Sequence, residues 1–363
     1  MKKQYFALLL FYFGLVFGQN NSNTFAIDAN YFSGNILKHA PDLGPLITGH
    51  PEGFLVSFSK KTYGNEEWER AYNYPDYGVY LLYQDFKNEY LGHTYAVGLH
   101  YNFYFLNRKL VFKISDGIAM VSNPHDNETN NKNIAFGSKF LGNVNFGLNY
   151  KTKIIDHLSV QSGLMFTHFS NARMKSPNRG INTFNLNLGL TYDFDKNGNQ
   201  IKDTTSFSMK FKERVKYNFV FRTGNNESAV VGSGIYPFYH LGFYADKRLN
   251  RKSAIQFGTE LFLTKSSIDF IKYQSVAYPE LNLDPNTDYK RVGIFVGHEL
   301  FINRISLETQ IGYYVYKPFK SDAALYDRLG MKYYFSKKLY SELAIKTHGF
   351  LAEALEFGIG VRL

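Results

Sequence analysis

His168 and Ser170 stand two positions apart in the stretch Phe166-Thr167-His168-Phe169-Ser170-Asn171-Ala172. On an extended strand that spacing puts both side chains on one face, where an imidazole can take the proton of a hydroxyl and make it a nucleophile. Asn182 opens the next alternating stretch and shares the parity of Phe184 and Leu186. On an antiparallel neighbour it arrives at the same end of the same face. A His-x-Ser pair by itself is more often structural than catalytic, so its meaning depends on the elements that carry it.

Those elements are strands. Segment after segment alternates apolar and polar residues for about ten positions and then stops at Asn, Asp, Gly or Lys, the period of a strand with one greasy and one wet face. The pattern predicts strands near 24–33, 52–61, 77–85, 92–104, 108–115, 139–151, 155–169 and 182–194. After a polar stretch from Asp195 to Thr205, it predicts a second series near 212–222, 236–246, 252–264, 289–301, 303–316, 325–335, 338–348 and 354–363. Phe184, Leu186, Leu188, Leu190, Tyr192 and Phe194 alternate with Thr183, Asn185, Asn187, Gly189, Thr191 and Asp193, and the last strand repeats the pattern up to Leu363.

A soluble sandwich would turn the apolar set to a core; a membrane barrel turns it to lipid and the polar set to the lumen. Aromatic residues make up 18% of the chain, with 29 Tyr and 34 Phe against a single Trp, a load that interfacial girdles absorb. Met1-Lys2-Lys3 followed by the apolar run from Tyr5 to Phe17 has the layout of a secretory signal peptide, with cleavage expected near Gly18 or Gln19. The expected fold class is therefore all-β, a transmembrane antiparallel β-barrel of about 14 to 16 strands, with two tandem eight-stranded barrels as the alternative. A weak repeat, Phe146-Gly147-Leu148-Asn149-Tyr150 leading to Thr167-His168 against Leu329-Gly330-Met331-Lys332-Tyr333 leading to Thr347-His348, points to duplication of an eight-strand unit. The short link between the halves favours one barrel. The expected organisation is a signal peptide over 1–19, a first barrel half over 20–195 with the His-x-Ser motif, a polar linker over 196–211 and a structural second half over 212–363.

In that frame Leu158, Val160, Leu164 and Phe166 share the parity of His168 and Ser170, so the pair faces outward, toward lipid. A charge on that face costs ~2 to 4 kcal/mol at the bilayer midplane and less near the interface. Polar groups there ask for a reason, and a nucleophile waiting for an acyl chain is one.

The whole segment resembles the catalytic region of the lipid A 3-O-deacylase (PagL) family, outer-membrane esterases of the acyloxyacyl hydrolase group. It carries the family's His-x-Ser-Asn-Ala stretch as His168-Phe169-Ser170-Asn171-Ala172, followed by Pro177-Asn178-Arg179-Gly180. The resemblance covers about the first half of the mature chain, to near Phe194. It implies Ser170 as nucleophile, His168 as general base, and the backbone around Asn171 and Arg173 with the Asn178 side chain as oxyanion donors. It implies lipopolysaccharide in the outer leaflet as the partner and no cofactor. Where reference members place Glu as the third member of the triad, this chain has Asn182. An amide carbonyl can hold the ring, as in Cys-His-Asn proteases, but it cannot neutralise an imidazolium as a carboxylate does, so the expectation is lower activity or recourse to another acid, which Asp156 and Asp193, at the far ends of these strands, cannot supply. Arg173, Lys175 and Arg179 fall within one loop, either as an ordinary solvated loop or as a grip on lipid A phosphates.

Other chemistries find little support. The net charge of +10 is dispersed without a basic helix or stripe, which argues against nucleic acid, and there is no cysteine to offer a thiolate. His125, Asp126 and Glu128 read as a solvated loop rather than a metal site, and His298-Glu299 lacks the second His of a zinc protease motif. His348 has lumen parity and no serine two residues on. Rival readings are a porin and a non-catalytic barrel descended from deacylases.

Overall fold

The computed structural model describes residues 24–194, 211–349 and 351–363. The signal-peptide stretch and the linker stretch up to residue 210 lie outside the described residues. Sixteen strands appear where the alternation places them. The first eight are β1 (Phe25–Ile36), β2 (Glu52–Lys60), β3 (Asp76–Asp85), β4 (His93–Phe105), β5 (Leu110–Val121), β6 (Phe140–Ile155), β7 (Leu158–Ser170) and β8 (Ile181–Asp193). The second eight are β9 (Lys216–Glu227), β10 (Ile235–Arg248), β11 (Ser253–Thr264), β12 (Arg291–Ile302), β13 (Ile305–Tyr316), β14 (Leu325–Tyr334), β15 (Leu339–His348) and β16 (Leu351–Arg362). Two short helices, α1 (Glu67–Ala71) and α2 (Ser266–Ala277), lie in connections, and among the described residues no helix is long and apolar enough to cross a membrane.

The favoured single wide barrel is not what forms. The chain makes two closed antiparallel barrels of eight strands each, the tandem alternative. β8 returns to β1 in continuous register from Ala26↔Asp193 to Ile36↔Thr183, and β16 returns to β9 through Phe357↔Thr223 to Arg362↔Asn218. A short link limits how far apart the two ends lie, not which strands pair. Each repeat satisfies its edges within itself, as a sheet in hydrocarbon must.

Side chains follow the period of two. Leu186, Leu188 and Leu190 are exposed on the outer wall, whereas Asn185, Asn187 and Thr191 are buried inside. An eight-stranded barrel is just wide enough for side chains to fill, and both lumens are filled. In the first, Lys113 reaches Asp28 at 2.8 Å and Ser57 at 2.7 Å, while Phe32, Phe86, Phe136, Phe169 and Ile181 pack an apolar plug at the end that carries the β7–β8 loop. In the second, Arg222 lies 2.6 Å from Glu260 and 2.9 Å from Glu342, and Arg328 lies 2.6 Å from Glu356. Lys332 pairs with Glu299 and Glu308, and none of these three cations is exposed. Buried charges of this kind are tolerated because each has a partner; removing one partner typically costs about 3–5 kcal/mol. His348 sits inside this lumen, its Nε2 3.0 Å from the Tyr314 hydroxyl, as its parity requires.

The two ends of each barrel differ. At one, strands meet in tight turns such as 303–304, the 61–75 connection being the long exception; at the other lie 37–51, 122–139, 171–180 and 265–290. The barrels stand side by side with these ends aligned. At the turn end the Tyr72 hydroxyl donates to Phe301 O at 2.8 Å, Asn303 donates to Glu66 at 3.2 Å, and Arg251 pairs with Glu67. Because both lumens are packed, reconstitution into a planar bilayer should give no sustained single-channel conductance. Regular steps of porin size would contradict this packing.

Candidate active site

The site is made by the last turn of β7 and the first of β8. Gly142, Val144 and Phe146 of β6 flank β7 on one side, and β8 flanks it on the other, with His168 directly opposite Asn182 in the ladder. His168 Nδ1 lies 2.5 Å from Asn182 Oδ1, and its Nε2 lies 3.0 Å from Ser170 Oγ. With the amide oxygen accepting from Nδ1–H, Nε2 is left without a proton and can accept the serine's. That is the order a Ser-His esterase needs. Phe169, pointing into the lumen between the two, is fully buried with its ring edge-on to Phe86, 5.7 Å between centroids, so the wall behind the pair is rigid.

The three residues have the outward parity that the alternation assigns, but they are not bare to the membrane. Ser170 is 7% exposed, and His168 and Asn182 are half-buried. The β7–β8 loop folds over them. It turns sharply through Ala172 and Arg173, both at positive φ (51° and 62°), and re-enters the wall through Gly180 at φ 66°. A Cβ on Gly180 would come within 2.9 Å of Phe169 O, 3.2 Å of Ser170 Cβ and 3.4 Å of His168 Cε1, so only glycine lets the loop lie this close to the pair.

The expected oxyanion donors divide. The Asn171 N–H is already given to Asn178 Oδ1 at 2.9 Å, and so is withdrawn from that role. The same bond leaves the NH2 of Asn178 free, and among the described residues neither that group nor the Arg173 N–H has a protein acceptor. The Asn171 side chain instead braces the loop, donating to Lys175 O at 2.7 Å and Ser138 Oγ at 3.0 Å. Of the three loop cations, Arg179 is paired with Asp42 at 2.8 Å, while Arg173 and Lys175 make no ion pair among the described residues.

Sequence reasoning missed a neighbour. His39, from the β1–β2 connection, has Nδ1 3.3 Å from Asn182 Nδ2 and 3.2 Å from Leu37 O, and Nε2 3.0 Å from Arg179 O. In the tautomer that donates from Nε2 to Arg179 O, Nδ1 accepts from the Asn182 amide. In that tautomer the amide is held with its oxygen toward His168. No signal in the sequence joins residue 39 to 182; closure of β1 on β8 does, with Leu37 N–H donating to Asn182 O at 2.8 Å. Asp156 and Asp193, at the turn end, pair with Lys153 and Lys61 and take no part. The His125 ring is held by Asn133 O at 3.0 Å and Asn127 at 3.0 Å, and among the described residues no group of His, Asp and Glu is placed to hold a metal.

Comparison with known proteins places most of the chain under two family models. Residues 52–191 match the model of the lipid A 3-O-deacylase (PagL) family, and residues 215–363 match that of the acyloxyacyl hydrolase C-terminal domain, most of the chain between them. No curated protein matches. Among solved structures, a mutant of the Rh. blastica porin aligns at 7% identity over 94% of this chain and 99% of that one, with a TM-score of 0.18. OccAB3 of Acinetobacter baumannii aligns at 10% identity over 94% and 99%, with a TM-score of 0.20. Superposition that poor carries no argument about fold or function.

If Asn182 holds the base through its carbonyl, Asn182→Ala should lower ester hydrolysis by about tenfold or more, and Asn182→Asp should hydrolyse at least as fast as the natural protein. Initial rates on a p-nitrophenyl ester check both; equal rates for all three would remove Asn182 from the site.

Proposed function

The chain belongs to the lipid A 3-O-deacylase (PagL) and acyloxyacyl hydrolase family, and from that premise we propose that it is an outer-membrane esterase that removes an O-linked acyl chain from the lipid A part of lipopolysaccharide. The observation that carries the reading is the hydrogen-bonded series Ser170 Oγ, His168 Nε2, His168 Nδ1, Asn182 Oδ1, set at the loop end of the outer wall. Barrels of this kind present long loops outside the cell and short turns to the periplasm, which supports a site at the outer leaflet. Export through a cleaved leader over residues 1–19 belongs to the same proposal.

In this reading the substrate reaches the site by lateral diffusion, its acyl chains against the leucines and phenylalanines of β6 to β8. Ser170 Oγ attacks the ester carbonyl carbon as His168 Nε2 takes the hydroxyl proton, and the carbonyl electron pair moves to oxygen. The Arg173 N–H and the Asn178 amide would receive that oxyanion; one such donor is commonly worth about 10²- to 10³-fold in rate. His168 then returns the proton to the departing alcohol oxygen as the C–O bond breaks. Water, deprotonated by the same imidazole, attacks the acyl-serine carbonyl, and His168 gives that proton to Ser170 Oγ as the C–Oγ bond breaks and the fatty acid leaves. Arg173 and Lys175 are free to meet the substrate's phosphates, whereas Arg179 acts through Asp42 to hold the loop. No step calls for a cofactor.

Incubating the refolded protein and its Ser170→Ala variant with lipopolysaccharide, followed by mass spectrometry of lipid A, tests the proposal. Loss of one acyl mass with the natural protein alone is the expected result; unchanged lipid A with both would leave a non-catalytic barrel as the better reading.

A further inference from the structure

The loop that roofs the site is held not only by its own barrel but by the second one. Where β9 ends, Glu227 is 3% exposed and makes two bonds across the seam between the barrels. Its carboxylate Oε2 accepts the Ser176 N–H at 2.6 Å, and its own N–H donates to Arg173 O at 3.2 Å. Beside it, Ser176 Oγ donates to Ser228 O at 2.8 Å. Ser176 and Ser228 are themselves 5% and 6% exposed, so these bonds lie in a seam closed to solvent. The end of β9 is in turn fixed to its own barrel: Asn226 donates to Glu353 O at 3.3 Å and accepts from Ser266, the first residue of α2, at 3.0 Å.

Two peptide groups are thus pinned within the short arc between the nucleophile and Asn178. The Arg173 carbonyl belongs to the residue whose N–H stands free as an oxyanion donor, and Ser176 lies two residues before Asn178. Oxyanion donors act by being in place before the charge develops, and a misplacement of about 1 Å can cost two orders of magnitude. Two consecutive left-handed residues do not hold themselves in place. We infer that the second barrel completes the active site of the first, with Glu227 as a positioning residue that sets the oxyanion donors of the β7–β8 loop. The inference rests on the esterase reading above. It makes the second barrel, with its sealed ionic lumen, a rigid post for an active-site loop.

The test uses the full chain, refolded in detergent, and a short-chain p-nitrophenyl ester, which has no phosphate to engage Arg173 or Lys175. Glu227→Ala leaves the Ser176 N–H buried without an acceptor, so kcat should fall about tenfold with KM changed less than about twofold. Glu227→Gln keeps an acceptor oxygen and should stay within about threefold of the natural protein. Ser176→Ala, which removes the bond to Ser228 from the first barrel's side, should lower kcat in the same direction, and it carries the test if the Glu227→Ala barrel fails to fold, as read by heat-modifiable migration on gels. Asn303→Ala, at the far end of the seam, should leave kcat unchanged. If the natural protein is active and the Glu227 and Ser176 variants match it, or if Asn303→Ala is as damaging as Glu227→Ala, the positioning role is overturned while the esterase stands. A natural protein as inactive as Ser170→Ala overturns the esterase reading itself.

Discussion

Every backbone N–H and C=O that faces hydrocarbon must find its partner within the protein, and in this chain that requirement is met by closing a sheet after eight strands, twice. Closure at eight decides the rest. The interior is only as wide as the side chains that fill it, so the lumen becomes a core of apolar residues, amides and paired charges rather than a passage. The wall is then stiff, and chemistry has only its outer surface and the loops at its rim on which to act.

The β1–β8 seam that closes the first barrel also assembles the site. It delivers the β1–β2 connection to the side of Asn182, where His39 can hold the amide and Asp42 can hold Arg179. A departure from the usual acidic third residue is thereby given a physical footing. With its Nδ1 unprotonated, His39 accepts from the NH2 side of that amide and leaves the oxygen to His168. Among the described residues no carboxylate bonds to the His168 ring, and on the esterase reading its imidazolium is stabilised less than in a triad with a carboxylate.

The strands and the faces of their side chains were legible because a period of two is a local signal: the run from Thr183 to Phe194 states its two faces in its own letters. Placement of His168, Ser170 and Asn182 together followed from the same parity. What strand closes on what strand is not a local matter. β8 alternates in the same way whether its neighbour is β1 or β9, and a short link fits either, so the preference for one wide barrel had no contact behind it. The contacts that depend on closure were hidden for the same reason. His39 to Arg179 and Ser176 to Glu227 join residues far apart in sequence, by side chains with no motif. The Asn171 N–H was misassigned on a smaller scale, because only the folded loop brings the Asn178 carbonyl to it.

All of this chemistry depends on Ser170 being an activated nucleophile reached from the outer wall. A lipophilic fluorophosphonate, which reacts with a serine only when a base has raised its nucleophilicity, measures this directly on the protein in lipid vesicles, with the modified peptide identified by mass spectrometry. Stoichiometric modification at Ser170, abolished in His168→Ala, is the expected result. A folded protein left unmodified, or modified at another serine, would contradict it.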